Sequence, residues 1–424
     1  MTEDVDPAEL AARVRSGDLG LHDLDGTADP ATAAEARRQV VEAATGADLE
    51  PLSGHGFAPA DVDANVENLI GATEIPMGVA GPVLVNDASG ATAEADTGGA
   101  AGGEYYLPMA TTEGALVASV NRGLAAIRRA GGATARVTDS GMTRAPVFRV
   151  RGVAEAARVT EWVADNRQRL ATAAESTTDH GELLDVDPSV VGDSVYLRFV
   201  YDTKDAMGMN MATIATREAA DLVESETPAK LVALSGNLCS DKKPAAINAV
   251  EGRGRTVTAD VVLPPAVVSE TLKTTPGAMV EGNTRKNLVG SAKAASLGFN
   301  AHAANTVAAA FLATGQDAAQ VVEGANAITT MEVRGDTDDA EASGLYASIS
   351  LASLEVGTVG GGTGLPTQST ALDVLGLGGG GDPPGANADA LAEVIAVGAL
   401  AGELSLVAAF CSRHLASAHE SLGR

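Results

Sequence analysis

From 112 to 130 the apolar positions of "TEGALVASVNRGLAAIRRA" recur every three or four residues, and two glycines follow at once. That period predicts an amphipathic helix with a glycine stop. "EAARVTEWVADNRQRLATAAES" carries the same period and reads as one long helix, and a further helix follows "DAMGMNM". By contrast, "PVFRVRGV" and "SVYLRFVY" alternate apolar and polar residues as half-buried strands do, and "AKLVALSG" is strand-like as well. Over 146–233 the order is β-α-β-β-α-β. This is the ferredoxin-like arrangement, and it predicts a small domain inserted into a larger one.

The larger domain is expected to occupy 51–145 and 234–424, behind a helical portion at 1–50 where Asp-Pro pairs mark helix starts. Strand and tight turn are expected around "GVAGPVLV", and helices near 286–298, 301–313 and 316–326. A last helix, 387–418, is apolar on more than one side, so it belongs in a core or at a subunit contact. The fold class is a mixed α+β and α/β multidomain chain.

Composition narrows the function. Of 424 residues, 56 are acidic and 29 basic, and the net charge of −27 makes nucleic acid and anionic membrane improbable partners. It suits a protein kept soluble in concentrated salt. Cys239 and Cys411 provide neither a disulfide framework nor a metal cluster. The acidic start resembles no leader, and apolar runs such as "LSLVAAFC" look too short to span a bilayer. A cytoplasmic location is expected.

Lysine is scarce, yet "SGNLCSDKKPAAINAVEGRG" (Ser235 to Gly254) sets Lys242 and Lys243 side by side after Asp241. Two adjacent ammonium groups call for an anion, a carboxylate or a developing oxyanion, unless they are simply a solvated cluster. Lys286 and Arg144 are further cations suited to a carboxylate. Glu113 reads either as a first-turn helix carboxylate or as a semi-buried acid able to hold a proton. Asp317 is a helix cap, or it packs against a site lysine across Gly315. His419 and His414 are five apart and so form no metal pair, but a histidine near the end could deliver a proton. "DAMGMNM" (Asp205 to Met211) and "GTVGGGTG" (Gly357 to Gly364) are weak nucleotide signals, the second matching no phosphate-loop spacing. No spacing supports a metal.

Taken in order, "ENLIGATEIPMGVAGP", "YYLPMATTEGALVASVNRG", "DSGMTRAPV", "DAMGMNM", "SGNLCSDKKPAAINAVEGRG", "KNLVGSA", "HAANTVAA", "GQDAAQVVEG", "GTVGGGTGLPTQ" and "SAHE" resemble the catalytic portion of the 3-hydroxy-3-methylglutaryl-CoA (HMG-CoA) reductases, over roughly 60–420. The resemblance implies a four-electron reduction of HMG-CoA to mevalonate and CoA. It makes Lys242 the cation at the carbonyl oxygen, Glu113 the proton donor at the aldehyde oxygen, Asp317 the residue linking both, and His419 the acid for departing thiolate. It places Arg144, Ser235, Asp241, Lys243 and Lys286 around the acyl carboxylate and hydroxyl, and Ser119, Asn121 and Arg122 on the CoA side. Asn305 and Gln316 are weaker contacts. The cofactor falls to Asp205, Met207, Gly208, Met209, Asn210 and Met211, with Gly357, Gly360, Gly361 and Gly362 nearby. A homodimer with shared sites, sometimes a tetramer, is also implied.

One departure bears on the cofactor. Where the family's mammalian-type enzymes hold the 2′-phosphate of NADPH with a Ser-Arg pair, this chain reads "STTDHGELLD". Asp179 there would repel a phosphate and favour NADH; the family's habit, and screening at high salt, favour NADPH. Two other readings stay open. One is a CoA-thioester lyase or transferase with Cys239 as nucleophile; the other is a non-catalytic acidic binding protein.

Overall fold

The computed structural model describes residues 5–63, 65–86, 102–335 and 344–412. His419 and His414 lie outside them. Ten strands form one continuous hydrogen-bonded system: β1 (Met77–Asn86), β2 (Gly103–Ala110), β3 (Ala133–Arg144), β4 (Val147–Arg149), β5 (Glu182–Val191), β6 (Ser194–Asp202), β7 (Lys230–Ala233), β8 (Gly254–Leu263), β9 (Ala327–Arg334) and β10 (Gly344–Leu354). Two separate apolar cores pack against it.

The larger core is built on β3, β8, β10 and β9, joined antiparallel in that order, with β1 beside β3 and β2 beside β1. Val257, Ala259, Leu345 and Ile349 are fully buried under Leu391, Ile395 and Leu400 of the helix Ala386–Cys411. Each of the larger of these side chains, the valine, leucines and isoleucines, contributes about 1.5–3 kcal/mol by leaving water. That helix is buried almost all round, which fits its apolar faces. At 26 residues it is, by length and composition, long enough to cross a membrane, contrary to the expectation drawn from "LSLVAAFC" alone. α3 (Leu116–Arg129) touches it backbone to backbone: a Cβ added at Gly123 would stand 1.9 Å from the Ala401 carbonyl oxygen.

The smaller core holds Phe148, Val159, Leu170, Leu197, Phe199 and Val223. Its sheet runs β7-β4-β6-β5, all antiparallel. α4 (Val153–Asp165) and α5 (Arg167–Glu175) connect β4 to β5, and α6 (Met209–Glu226) connects β6 to β7. In chain order the strands therefore sit 4-1-3-2. The switch between the two cores falls inside β3, whose residues 134–141 pair with β8 and whose 142–144 pair with β6. At the other end the Gly236 N–H donates to the Ala145 carbonyl at 2.6 Å.

The N-terminal helices α1 (Pro7–Ser16) and α2 (Pro30–Thr45) start on Asp6 and Asp29, whose carboxylates accept first-turn N–H groups at 2.9–3.1 Å.

Several elements differ from expectation. The long helix is broken at Asn166, whose side-chain amide donates to the Trp162 carbonyl at 2.8 Å and closes α4. The helix expected from 112 begins only at Leu116, because Ala115 is left-handed (φ +66°) and cannot continue a right-handed turn. The helix expected over 286–298 is a π-helical turn, Asn283–Gly290, followed by one short α turn, Ser291–Lys293. The one over 316–326 is a 3-10 turn and one α turn.

Candidate active site

The loop after β7 turns sharply at three non-glycine residues with positive φ: Asn237 (+63°), Ser240 (+47°) and Lys242 (+58°). Such residues are costly and cluster where geometry is functional. The last of them aims its ammonium at the Asp317 carboxylate, 2.9 Å away. Asp317 stands just after the helix Ala303–Thr314, held by capping Ala319 N–H at 3.1 Å. Its hydrogen bond holds the Lys242 pKa above the usual lysine value.

Behind this pair lies a group that sequence reasoning missed. The Arg253 side chain is fully buried and donates to Gln320 (3.0 Å), Glu355 (2.9 Å) and Asp241 (3.0 Å), with the Met209 sulfur 2.8 Å from Nη2. Glu323, also buried, is 3.7 Å from Arg253 and accepts the backbone N–H groups of Lys242 and Lys243. Burial pushes the pKa of Glu323 up and that of Glu355 well up, against the pull of Arg253. Burial also acts to raise Asp241, but the Gln320 hydrogen bond and the charges of Arg253, Lys242 and Arg144 outweigh it and hold this acid below the ordinary value. The available signal was "EGRGR", two arginines alternating with glycines at a strand start in a base-poor chain.

The two glycine-rich stretches meet beside this cluster. Ala206 bridges Val359, and the Thr358 N–H donates to the Asp205 carbonyl at 2.8 Å. Gly357 is essential to the approach, since a Cβ there would sit 2.4 Å from the Met207 nitrogen. Gln316 clamps Gly357 on both sides, accepting its N–H at 2.8 Å and donating to its carbonyl at 2.9 Å. Gly315 and Gly362 face each other just as closely, which sets the 360–362 turn against the residue next to Gln316 and Asp317. Gly208, left-handed at φ +83°, starts α6, so the first N–H groups of Met209, Asn210 and Met211 form a helix N-terminus. A Cβ at Gly360 or Gly361 would meet only open space. Glycines that let one backbone approach another, an open turn and a helix N-terminus together fit a nucleotide pyrophosphate.

Asp205 is a different case. Its carboxylate is buried and accepts from the N–H groups of Gly381, Gly385, Asn387 and Ala388, at 2.7–3.2 Å, across the start of the long helix. A direct carboxylate contact with a cofactor is therefore replaced by a structural one. The loop with Asp179 and His180 is exposed, and a Cβ on the adjacent Gly181 would press on the Met211 sulfur at 2.6 Å. Asp179 thus belongs to a loop lying over the α6 start.

The remaining candidates have partners of their own. Arg144 donates to Thr213 of α6, and Ser235 contacts the buried Cys239 sulfur at 3.7 Å. Among the described residues no base faces that thiol, so the nucleophile reading has no support there. Lys286 donates to Asn287 at 3.0 Å, and the Asn305 amide lies 3.3 Å from His302 Nδ1. Asn287 and the His302 backbone both bond to the buried Glu403. Ser119 and Arg122 bond to Ser405 of the long helix, while Asn121 accepts the Gly81 N–H at 2.9 Å. Glu113 follows β2 in an exposed loop rather than in a semi-buried first turn. Among the described residues no hydrogen bond or ion pair joins it to Lys242 or Asp317.

Residues 33–424 match the family model for hydroxymethylglutaryl-coenzyme A reductase. The chain belongs to the hydroxymethylglutaryl-CoA reductase family. It is 68% identical over 420 residues to the 3-hydroxy-3-methylglutaryl-coenzyme A reductase of Halobacterium salinarum, covering 99% of each chain. The Haloferax volcanii reductase is 67% identical, over 99% of this chain and 100% of that one. These relatives accord with the acidic, salt-adapted composition. A class II reductase of Streptococcus pneumoniae, solved with NADPH in open conformations, shares the fold at TM-score 0.65 and 21% identity, covering 88% of this chain and 86% of that chain. Membership makes the chain an oxidoreductase acting on HMG-CoA in the mevalonate route.

Proposed function

We propose that Lys242, held by Asp317, is the electrophilic centre of a two-step reduction of HMG-CoA to mevalonate. The observation that carries this is the 2.9 Å ion pair beside the meeting of the 205–211 and 357–362 segments. NADPH, bound by the βαββαβ unit with its ferredoxin-like strand order, supplies hydride. Backbone N–H groups at the α6 start and the glycines of the 357–362 turn hold its pyrophosphate; Asp179 makes the 2′ end the less settled contact, and NADH the alternative.

Each reduction turns a carbonyl carbon tetrahedral and leaves negative charge on its oxygen. The Lys242 ammonium faces that oxygen in both steps. Glu113 gives the proton that completes the alcohol, and His419 protonates the CoA thiolate released between the steps. Arg144, Ser235, Asp241, Lys243 and Lys286 hold the acyl carboxylate and hydroxyl, with Asn305 beside them. Ser119, Asn121 and Arg122 lie on the CoA side. Glu113 is exposed and, among the described residues, makes no hydrogen bond or ion pair to Lys242 within one chain, which supports a homodimer with shared sites. Pairing of dimers into a tetramer belongs to the same reading, as does a cytoplasmic location.

The test is Lys242→Ala, followed by reduced-nicotinamide absorbance with HMG-CoA in concentrated KCl, with NADPH and NADH in turn. The expected outcome is a fall in kcat of about 100-fold or more with thioester KM little changed, since the interaction strengthens in the transition state. Activity near that of the parent protein overturns the assignment, and a clear NADH preference overturns the cofactor.

A further inference from the structure

We propose that Glu323 is a positioning residue for Lys242, acting on its backbone rather than on substrate. The inference rests on the reading of Lys242 given above. A single buried oxygen, Glu323 Oε1, accepts the N–H of Lys242 and also lies 3.4 Å from the N–H of Lys243. It therefore grips the one peptide whose left-handed φ of +58° sends the ammonium toward Asp317. A lysine is strained in this conformation, and the bond from its N–H to the buried Glu323 carboxylate helps hold it there.

Glu323 is itself placed from two sides. It lies in the short helix Val321–Gly324, which starts four residues after the Asp317 cap, so one segment carries both the carboxylate that meets the ammonium and the carboxylate that holds its backbone. Arg253 approaches it at 3.7 Å while bonding to Glu355 and Asp241. The groups facing Glu323 are thus Arg253, Glu355 and the two backbone N–H groups. Among the described residues its second oxygen, Oε2, is buried without a hydrogen-bond partner, as is that of Glu355. The bond that matters is the accepting one at Oε1, which a neutral amide oxygen can also make.

Two substitutions separate reach from charge. Glu323→Gln keeps the length and the accepting oxygen but loses the charge. Glu323→Asp keeps the charge but withdraws the oxygen by one methylene, about 1.5 Å given ordinary C–C geometry. Positioning predicts that Glu323→Gln retains kcat within about fivefold, whereas Glu323→Asp loses about 30-fold or more with thioester KM within about threefold, because ångström-scale misplacement costs up to about 100-fold. The alkaline limb of the kcat profile should also move to lower pH in Glu323→Asp alone, as Lys242 loses its hold on Asp317. Equal losses in both variants, or an Asp variant as active as the Gln variant, overturn the proposal. Lys242→Ala is run alongside: if it stays active, the Lys242 reading has failed, whereas if it is inactive while Glu323→Asp is normal, only the positioning role has failed. Thermal melting of both variants within a few degrees of the parent is the check that the comparison reads geometry; a fall in kcat that tracks unfolding in both also counts against the proposal.

Discussion

Lys242 combines a strained backbone with a side chain that must stay charged while half exposed. Asp317 serves the second need: its hydrogen bond raises the pKa of the ammonium, so the charged form persists to higher pH than for a free lysine. The sign follows directly. A raised pKa means the charge is fully present below the ordinary lysine value and is lost only as pH climbs through the raised one. Asp317→Asn removes the anion, so the alkaline limb of the kcat–pH profile should shift to lower pH and kcat should fall at every pH. A limb that stays in place would show that Asp317 does not set this charge. Lys242 was visible in the sequence because lysine is rare there. Arg253 was not, because an arginine at a strand start reads as surface until a fold buries it among Asp241, Glu323 and Glu355.

At the scale of elements, glycine decides where backbones can meet. Gly357 allows the 357–362 segment to lie against residues 205–207, and Gln316 locks that approach from the other side. Gly357→Ala should therefore destabilise the protein by about 1–3 kcal/mol, the usual cost of overpacking, and raise the KM for nucleotide more than that for thioester. Kinetics with each substrate varied in turn, together with thermal melting, measures both; an unchanged nucleotide KM would detach this junction from cofactor binding. Periodicity made α3, α6 and the strands of the small sheet legible, since each buries a regular face. It failed where one residue overrides the period: Ala115 delays α3 and with it moves Glu113 out of a helix, and Asn166 splits α4 from α5. The encounter of the two glycine-rich segments could not be read from either one, because it brings Gly357 against Met207, far apart in sequence.

Across the whole molecule the net charge of −27 is the dominant long-range term. Self-repulsion reaches about 10 Å at 0.1 M salt but only about 3 Å at 1 M. Melting temperature should therefore rise steadily with KCl over that range, as followed by circular dichroism; a flat or falling curve would mean that surface repulsion is not what limits stability. Within this charged shell the two cores are not linked by loops alone. β3 belongs to both: it is laced to β8 over 134–141 and to β6 over 142–144, with Gly141 pressed against Val200 at the changeover. A polypeptide beam of this kind resists bending in its own sheet and yields mainly in torsion. That torsion is checked in turn where the Asp205 carboxylate grips the start of the long helix and Ala206 bridges Val359, so the two cores share one frame with more than one point of attachment.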